Sequence, residues 1–449
     1  MKNVYFVGIG GIGMSALARY YQSQGVAVAG YDLTPSPLTK QLEHEGMAIH
    51  YEDNPALLPA LIDAAIYTPA VPNELNELQE LRRRGIPLMK RAEALGAISK
   101  AHFTIAVAGT HGKTTTTAMV AHILKENGVD MTAFIGGISN NLGSNLHLGH
   151  TPEAVLVVEA DEFDRSFLQL SPDISIVNSI DADHLDIYGD KKHLEEGFNA
   201  FANLTKDTVI VKEGLEIGHC KRNEVERGND VRFGFKPEND FRAVDIRPLE
   251  GETDFVIGHP GGQTPIHLNM AGDHNVLNAT AAFAATMTLG LDPQGIAKAL
   301  ATFTGVKRRF DIKVKNEKHC YIDDYAHHPE EIKSCLSAIK AAFPSKRVTL
   351  VFQPHLFTRT RDFMEDFATS LAMADNLILL DIYPAREKPI EGVSSQVLLN
   401  RVPLERKCLC RKEDLLDTIA SRRPELLVTM GAGDIDRFVE PLQKMISQW

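Results

Sequence analysis

Gly109-Thr110-His111-Gly112-Lys113-Thr114-Thr115 follows an apolar run and opens a helical pattern, a setting in which backbone N–H groups cradle phosphates. In such a loop Lys113 reaches the β and γ oxygens, and the Thr114 hydroxyl can hold Mg2+. The loop is shorter than the general G-x-x-x-x-G-K-[ST] pattern, because Val107 stands at the first glycine. A second pattern, G-x-G-x-x-G, lies in Gly8-Ile9-Gly10-Gly11-Ile12-Gly13, between another apolar run and another helix. Its glycines let the backbone approach a diphosphate at a helix N-terminus, and Asp32, 24 residues after Gly8, can accept hydrogen bonds from a ribose. Taken alone this describes a dinucleotide or a nucleotide diphosphate, with a tight glycine turn as the structural alternative.

Glu159 ends the run Val155–Val158, where a carboxylate in a phosphate-loop domain binds Mg2+ directly or through water; a solvated strand-end acid is the plain alternative. The following Ala160-Asp161-Glu162-Phe163-Asp164 offers further carboxylates that charge alone does not rank. Asn178 to His184 adds Asp181, Asp183 and His184, which approach the same phosphates if their strand neighbours the loop's strand. A lone histidine such as His184 is more often structural.

These groups need elements to hold them. Val4–Val7, then Met14, Leu17, Ala18 and Tyr21 at helical spacing, then Val26–Ala29 predict a βαβ unit. Ala64–Tyr67 predicts a strand that Thr68-Pro69-Ala70-Val71-Pro72 ends, placing Thr68 at a carboxyl end where open α/β sheets bind ligands. The pattern restarts at Phe103–Ala108, with a helix bearing Met119, Val120, Ile123 and Leu124, strands at Val155–Val158 and Ile174–Val177, and shorter β segments over 207–270. After Lys307-Arg308-Arg309 come strands at Val348–Phe352, Leu377–Leu380 and Leu426–Met430. The expected fold is α/β in three domains: Rossmann-like over 1–98, a mixed α/β phosphate-loop ATPase-like domain over 99–306, and Rossmann-like again over 307–449.

Composition sets the outer bounds. A chain of 449 residues exceeds one core, and 44% hydrophobic with 24% charged residues is an ordinary soluble balance. A net charge of -12 argues against a general nucleic-acid binder, whose affinity comes from excess Lys and Arg. Cys220, Cys320, Cys335, Cys408 and Cys410 are too few and scattered for a disulfide framework, which fits a reducing, cytoplasmic setting. Cys408 and Cys410 read as strand residues rather than a zinc half-site. The opening run is too short for a signal peptide, and no apolar stretch is long enough to span a membrane.

Together these motifs resemble the muramyl ligase family over nearly the whole chain. Gly8 to Gly13 with Met14 and Ser15 is similar to the family's UDP-binding opening, and Ala106 to Thr115 to its ATP loop. Glu159-Ala160-Asp161-Glu162 resembles its Mg2+-binding strand end, and Asp183-His184 falls where the family holds a second Mg2+ by histidine. Gly272-Asp273-His274-Asn275-Val276-Leu277-Asn278 resembles the adenine-contacting helix start, where Asn275 can meet the base edge; an asparagine cap is the structural alternative. Arg308-Arg309-Phe310-Asp311 matches the junction to the third domain, and the resemblance sends Arg309 to the ATP phosphates.

Asp323-Asp324-Tyr325-Ala326-His327-His328-Pro329 and Phe352-Gln353-Pro354-His355, leading to Arg359, resemble third-domain motifs at the reaction centre. By that likeness Asp323 or Asp324 bonds the nucleotide, His327 or His328 lies near the muramoyl carboxylate, and Arg359 grips a carboxylate bidentately. Leu356 departs from an arginine that some members carry. The opening Gly8 to Ser15 and the Asp323 to Pro329 segment look more like the alanine-adding branch than the tripeptide-adding one, and no carbamylated lysine is expected there. The resemblance implies ATP and Mg2+, UDP-N-acetylmuramate and L-alanine as substrates, and a monomer or homodimer. A nicotinamide oxidoreductase leaves the Gly109 loop unexplained, and a non-catalytic ATP-gated sensor leaves the third-domain histidines and arginines without a task.

Overall fold

The computed structural model describes residues 1–181, 191–217, 229–385 and 387–449. Its first sheet grows from the apolar runs at the N-terminus: β1 (Asn3–Val7), β2 (Ala27–Tyr31), β3 (Ala48–His50), β4 (Ala64–Tyr67) and β5 (Leu88–Lys90), ordered β3-β2-β1-β4-β5. The strands of this sheet run parallel, and the order reverses beside β1, which places the switch point at the Gly8 loop. Helices α1 (Ile12–Ser23), α2 (Pro37–His44), α3 (Asn76–Arg83) and α4 (Arg91–Ser99) make the crossovers. Ser36 starts α2 with a capping box closed by Thr39, and Pro37 at its first position presets the helical φ.

A longer sheet follows. Strand β6 (Thr104–Ala108) leads through the second glycine loop into α5 (Lys113–Glu126), then β7 (Met131–Ser139), β8 (Ser144–His147), β9 (Val155–Glu159) and β10 (Ile174–Val177). Past α6 (Lys191–Ala202) come β11 (Thr208–Lys212), β12 (Asn229–Gly234), β13 (Phe241–Leu249), β14 (Glu252–His259) and β15 (Gly262–Leu268), then α7 (Asp273–Thr288) and α8 (Pro293–Leu300). The order is β15-β14-β13-β12-β11-β10-β6-β9-β7-β8. Strand β6 therefore lies between β9 and β10, in register Val107 to Glu159 and Ala108 to Val177, and both neighbours deliver their C-terminal residues beside the loop. In the core, Phe167 stacks on Phe201 with ring centroids 5.1 Å apart and meets Phe198 edge-on at 5.2 Å.

The third sheet is ordered β16-β17-β21-β18-β19-β20. Its members are β16 (Asp311–Lys315), β17 (Cys320–Asp324), β18 (Val348–Phe352), β19 (Asn376–Leu379), β20 (Lys407–Leu409) and β21 (Leu426–Met430). Only β16 runs antiparallel among these pairs. Helix α9 (Pro329–Ala342) follows β17, and α10 (Phe357–Asp362) follows β18. Cys408 lies on β20 and Cys410 just past it.

The residues gather into two compact units: Met1–Asp245 with Phe255–Ile266 and Leu277–Phe303, and Ile246–Asp254 with His267–Val276 and Thr304–Trp449. The first unit holds both glycine loops. In it Asn145 donates to Ile12 O at 2.5 Å and to Ser15 Oγ at 3.3 Å, and Arg19 reaches Asn145 Oδ1 at 3.1 Å, so α1 is tied to β8.

Candidate active site

The phosphate loop is shaped by two glycines that no other residue could replace cheaply. Gly109 has φ 137° and Gly112 φ 80°, both in the left-handed half of the map. A Cβ on Gly109 would lie 2.9 Å from Ser179 N, and one on Gly112 would collide with Asn278 Oδ1 and stand 3.0 Å from Asn178 Nδ2. The far end of β10 laces the loop in place. Thr110 N donates to Ser179 O at 3.1 Å, His111 N to Ser179 Oγ at 2.9 Å, and Asp181 N to Thr110 Oγ1 at 3.0 Å. Asn178 Nδ2 donates to Thr116 Oγ1 at 2.9 Å, and Thr116 Oγ1 donates to Asn278 Oδ1 at 3.2 Å.

Lys113, the first residue of α5, points back across the loop. Its ammonium donates to Gly109 O at 2.6 Å and meets both oxygens of Glu162, at 2.7 and 2.9 Å. Glu162 is fully buried and Lys113 nearly so. Burial works against the Lys113 charge, but the carboxylates of Glu162, Asp161 and Glu159 outweigh it and hold the pKa above the usual lysine range. A cation thus sits at the start of α5, beside the positive end of that helix, an arrangement suited to phosphates.

Glu159 closes β9 beside the loop and accepts a hydrogen bond from Gly136 N at 2.9 Å. A side chain at 136 would collide with that carboxylate. Hydroxyl and carboxylate oxygens, as on Thr114 and Glu159, are the hard donors Mg2+ takes. His184 and Asp183 lie outside the described residues. Arg91, which spacing does not single out, links the first glycine loop to the segment after β9: its guanidinium bonds Asp161 Oδ2 at 3.2 Å and lies over Gly13, where a Cβ would stand 2.9 Å from Nη1.

At the first loop Gly8 has φ 84°, and the Asp32 carboxylate accepts from Gly10 N at 2.7 Å. A Cβ on Gly8 would meet Thr68 Cγ2 at 2.8 Å and one on Gly10 would meet Asp32 Oδ2 at 2.8 Å, so Thr68 and Asp32 wall the same loop. Gly11 precedes α1 as its N-cap and Gly13 lies in its first turn. Met14 and Ser15 are buried, and the Ser15 hydroxyl donates to Ile12 O at 2.9 Å rather than opening outward.

The second unit gathers the other candidates. Asp324 accepts from Phe310 N and Ala326 N, both at 2.7 Å, so both oxygens serve the backbone. Asp323 accepts from Thr429 Oγ1 at 2.6 Å and faces Arg308 Nε at 3.3 Å; burial pushes its pKa up to about 6 against the pull of Arg308. Arg308 and Arg309 each lie 5.2 Å from the Tyr325 ring centroid. His327 Nδ1 donates to Tyr325 O at 3.0 Å, and its ring meets that of His355 edge-on at 6.1 Å. His328 caps α9 and rests on Phe363 at 4.7 Å. Burial lowers the pKa of His327, and of His355 to about 4, with Arg359 adding to both. Arg359 Nη1 and His355 Nδ1 are buried with no hydrogen-bond partner among the described residues, as donors awaiting a ligand would be.

Asn275 and Asn278 part ways: Asn275 is buried and donates to Ala271 O at 2.8 Å, whereas Asn278 belongs to the phosphate-loop network. His274 is exposed in the first turn of α7.

Three family models match in succession: the Mur ligase family, catalytic domain, over residues 3–103; the Mur ligase middle domain over 107–286; and the Mur ligase, glutamate ligase domain, over 308–433. The chain belongs to the Mur ligase family. It is 46% identical to the UDP-N-acetylmuramate--L-alanine ligase of Cytophaga hutchinsonii, covering all of this chain and 97% of that protein. It is 47% identical to the enzyme of the same name from Flavobacterium psychrophilum, over all of this chain and 99% of that protein. Among solved structures, UDP-N-acetylmuramate-alanine ligase from Thermotoga maritima superposes with a TM-score of 0.82 at 29% identity, covering 99% of this chain and all of that one.

In this Mur ligase the phosphate-loop residues the sequence points to stand together, and Asn178 and Ser179 join them because β10 neighbours β6. Glu162 and Arg91 are the partners that spacing did not rank. Among the described residues no helix is long and apolar enough to cross a membrane.

Proposed function

We propose that this Mur ligase joins L-alanine to the muramoyl carboxylate of UDP-N-acetylmuramate, converting ATP to ADP and phosphate, as a step of peptidoglycan precursor synthesis in the cytoplasm. The observation that carries the reading is the loop around Lys113, built for phosphates, in a chain whose full length matches L-alanine ligases. A carboxylate is a poor acyl donor in water because its oxygen leaves badly. In the first step the carboxylate oxygen attacks the γ-phosphorus, the bond to the β,γ-bridging oxygen breaks, and ADP leaves an acyl phosphate behind. In the second the neutral amine of L-alanine attacks the acyl carbon, phosphate departs, and the amine proton passes to a base.

Lys113 and the N-terminus of α5 neutralise the charge that gathers on the β- and γ-oxygens. Glu159, Thr114 and His184 would hold Mg2+, which supplies Lewis-acid neutralisation of the phosphates. Gly8, Gly10, Gly11, Gly13, Met14, Ser15, Asp32 and Thr68 form the UDP-sugar site in our reading, and Arg309, Asn275, His274, Asp323 and Asp324 shape the nucleotide surroundings. The buried donors of Arg359 and His355 fit the carboxylate of the incoming amino acid. His327, kept neutral by burial, is suited to accept the amine proton, with His328 beside it. We assign residues 1–98 to the UDP-sugar, 99–306 to ATP and 307–449 to the amino acid.

The test is ADP release from purified protein with ATP and Mg2+, adding UDP-N-acetylmuramate, L-alanine and a murein tripeptide singly and in pairs. Fastest release with the sugar nucleotide and L-alanine upholds the assignment. Preference for the tripeptide moves the chain to the recycling branch, and no release with either pair leaves a binding protein.

A further inference from the structure

The Lys113 ammonium has three hydrogens, and they face Gly109 O at 2.6 Å, the two Glu162 oxygens at 2.9 and 2.7 Å and, farther off, Thr110 O at 3.5 Å. A phosphate oxygen entering the loop must take at least one of those contacts. Gly109 O is fixed by the backbone, and the loop depends on it. The Glu162 carboxylate is the ligand's electrostatic rival, since it carries the same charge and the same acceptor geometry. It is fully buried at the start of the turn after β9, so water cannot screen it from the loop.

We propose that Glu162 is a positioning residue that holds Lys113 across the phosphate loop and competes with the nucleotide's phosphates for its ammonium. This rests on the reading of Gly109 to Thr115 as the nucleotide loop. The pair keeps the loop in shape before nucleotide arrives, and the negative charge of Glu162 lowers the affinity of the site for any anion that enters. Glu162→Gln retains the volume and one acceptor oxygen but removes the competing charge. Glu162→Asp retains the charge and withdraws it by one methylene. A residue that merely supported the loop would weaken nucleotide binding when replaced; a competitor strengthens it.

The experiment is calorimetric titration of the full-length protein with ADP in the presence of Mg2+, together with the KM for ATP and kcat. Glu162→Gln is expected to bind ADP at least fivefold more tightly than wild type and to lower the KM for ATP without raising kcat, with Glu162→Asp between the two. Should Glu162→Gln fail to fold, Glu162→Asp alone is decisive, because tighter binding than wild type is still required. ADP affinity unchanged or weaker in the folded variants overturns the proposal while leaving the nucleotide loop intact. A wild-type protein that binds no ADP overturns the loop assignment and this proposal with it.

Discussion

Lys113→Ala is the change any enzymologist would make first, and its effect on folding should be as large as its effect on turnover. It removes the cation that two buried Glu162 oxygens share, leaving a carboxylate with no exposure to water beside the shortened side chain. Stripping one partner from a buried ion pair costs about 3–5 kcal/mol, because the remaining charge stays desolvated. At about 2–4 °C per kcal/mol for a domain of 150–250 residues, the transition of the unit containing the loop should fall by about 6–20 °C, nearer the lower end for a larger unit. Replacing both members by apolar residues of similar volume, Lys113→Met with Glu162→Leu, should recover at least half of that loss, although this double variant cannot turn over. Differential scanning calorimetry of wild type, both single variants and the double variant measures the cycle. A Lys113→Ala midpoint within about 2 °C of wild type, or a double variant no more stable than the single ones, would refute the reasoning, since the pair would then not be energetically coupled.

Gly112→Ala forces a Cβ into a left-handed residue and against Asn278, at about 1–2 kcal/mol for the backbone alone; ADP titration should show affinity down at least tenfold. The His355 pKa, lowered to about 4, lies below the unfolded value of about 6.5, so its contribution to stability is present above pH 6.5 and fades as pH falls toward 4. The drop in midpoint of the second unit between pH 7.5 and 5 should therefore shrink in His355→Gln. Phe167→Ala removes the ring that touches both Phe198 and Phe201 and should cost about 3–5 kcal/mol, read as a lower midpoint for the first unit alone.

Strands such as Ala64–Tyr67, Ile174–Val177, Val348–Phe352 and Leu426–Met430 coincide with the apolar runs in the sequence, because a strand buried on both faces must be apolar throughout. The three-residue strands β3 and β5 are too short to carry a period, and nothing in the sequence marks them, whereas β20 holds Cys408, read there as a strand residue, with Cys410 just past its end. The loops were legible because glycine at fixed spacing has a backbone reason that survives without tertiary context. Glu162 was not, since 49 residues separate it from Lys113 and only the placement of β9 next to β6 brings them together. The same holds for Arg91 and Asp161, 70 residues apart. Asp323 and Asp324 differ in a way adjacency hides: both Asp324 oxygens accept from the backbone of Phe310 and Ala326, whereas Asp323 gives Oδ1 to Thr429 and its buried Oδ2 faces Arg308 with no hydrogen bond among the described residues.

The tie between α1 and β8 has a bearing on how this chain can be cut. Asn145 satisfies the Ile12 carbonyl and the Ser15 hydroxyl, Tyr20 leans on Phe134 at 5.6 Å, and a Cβ on Gly96 would have no room beside the Gln169 backbone. A fragment ending after α4 would expose this face to water and leave the first turn of α1 without its outside partner. Screening or crystallising the first sheet as an excised piece therefore means handling a sticky half-surface. The smallest fragment that leaves this seam intact has to include β7, β8 and the segment around Gln169, so for protein engineering the first sheet is not a free-standing piece.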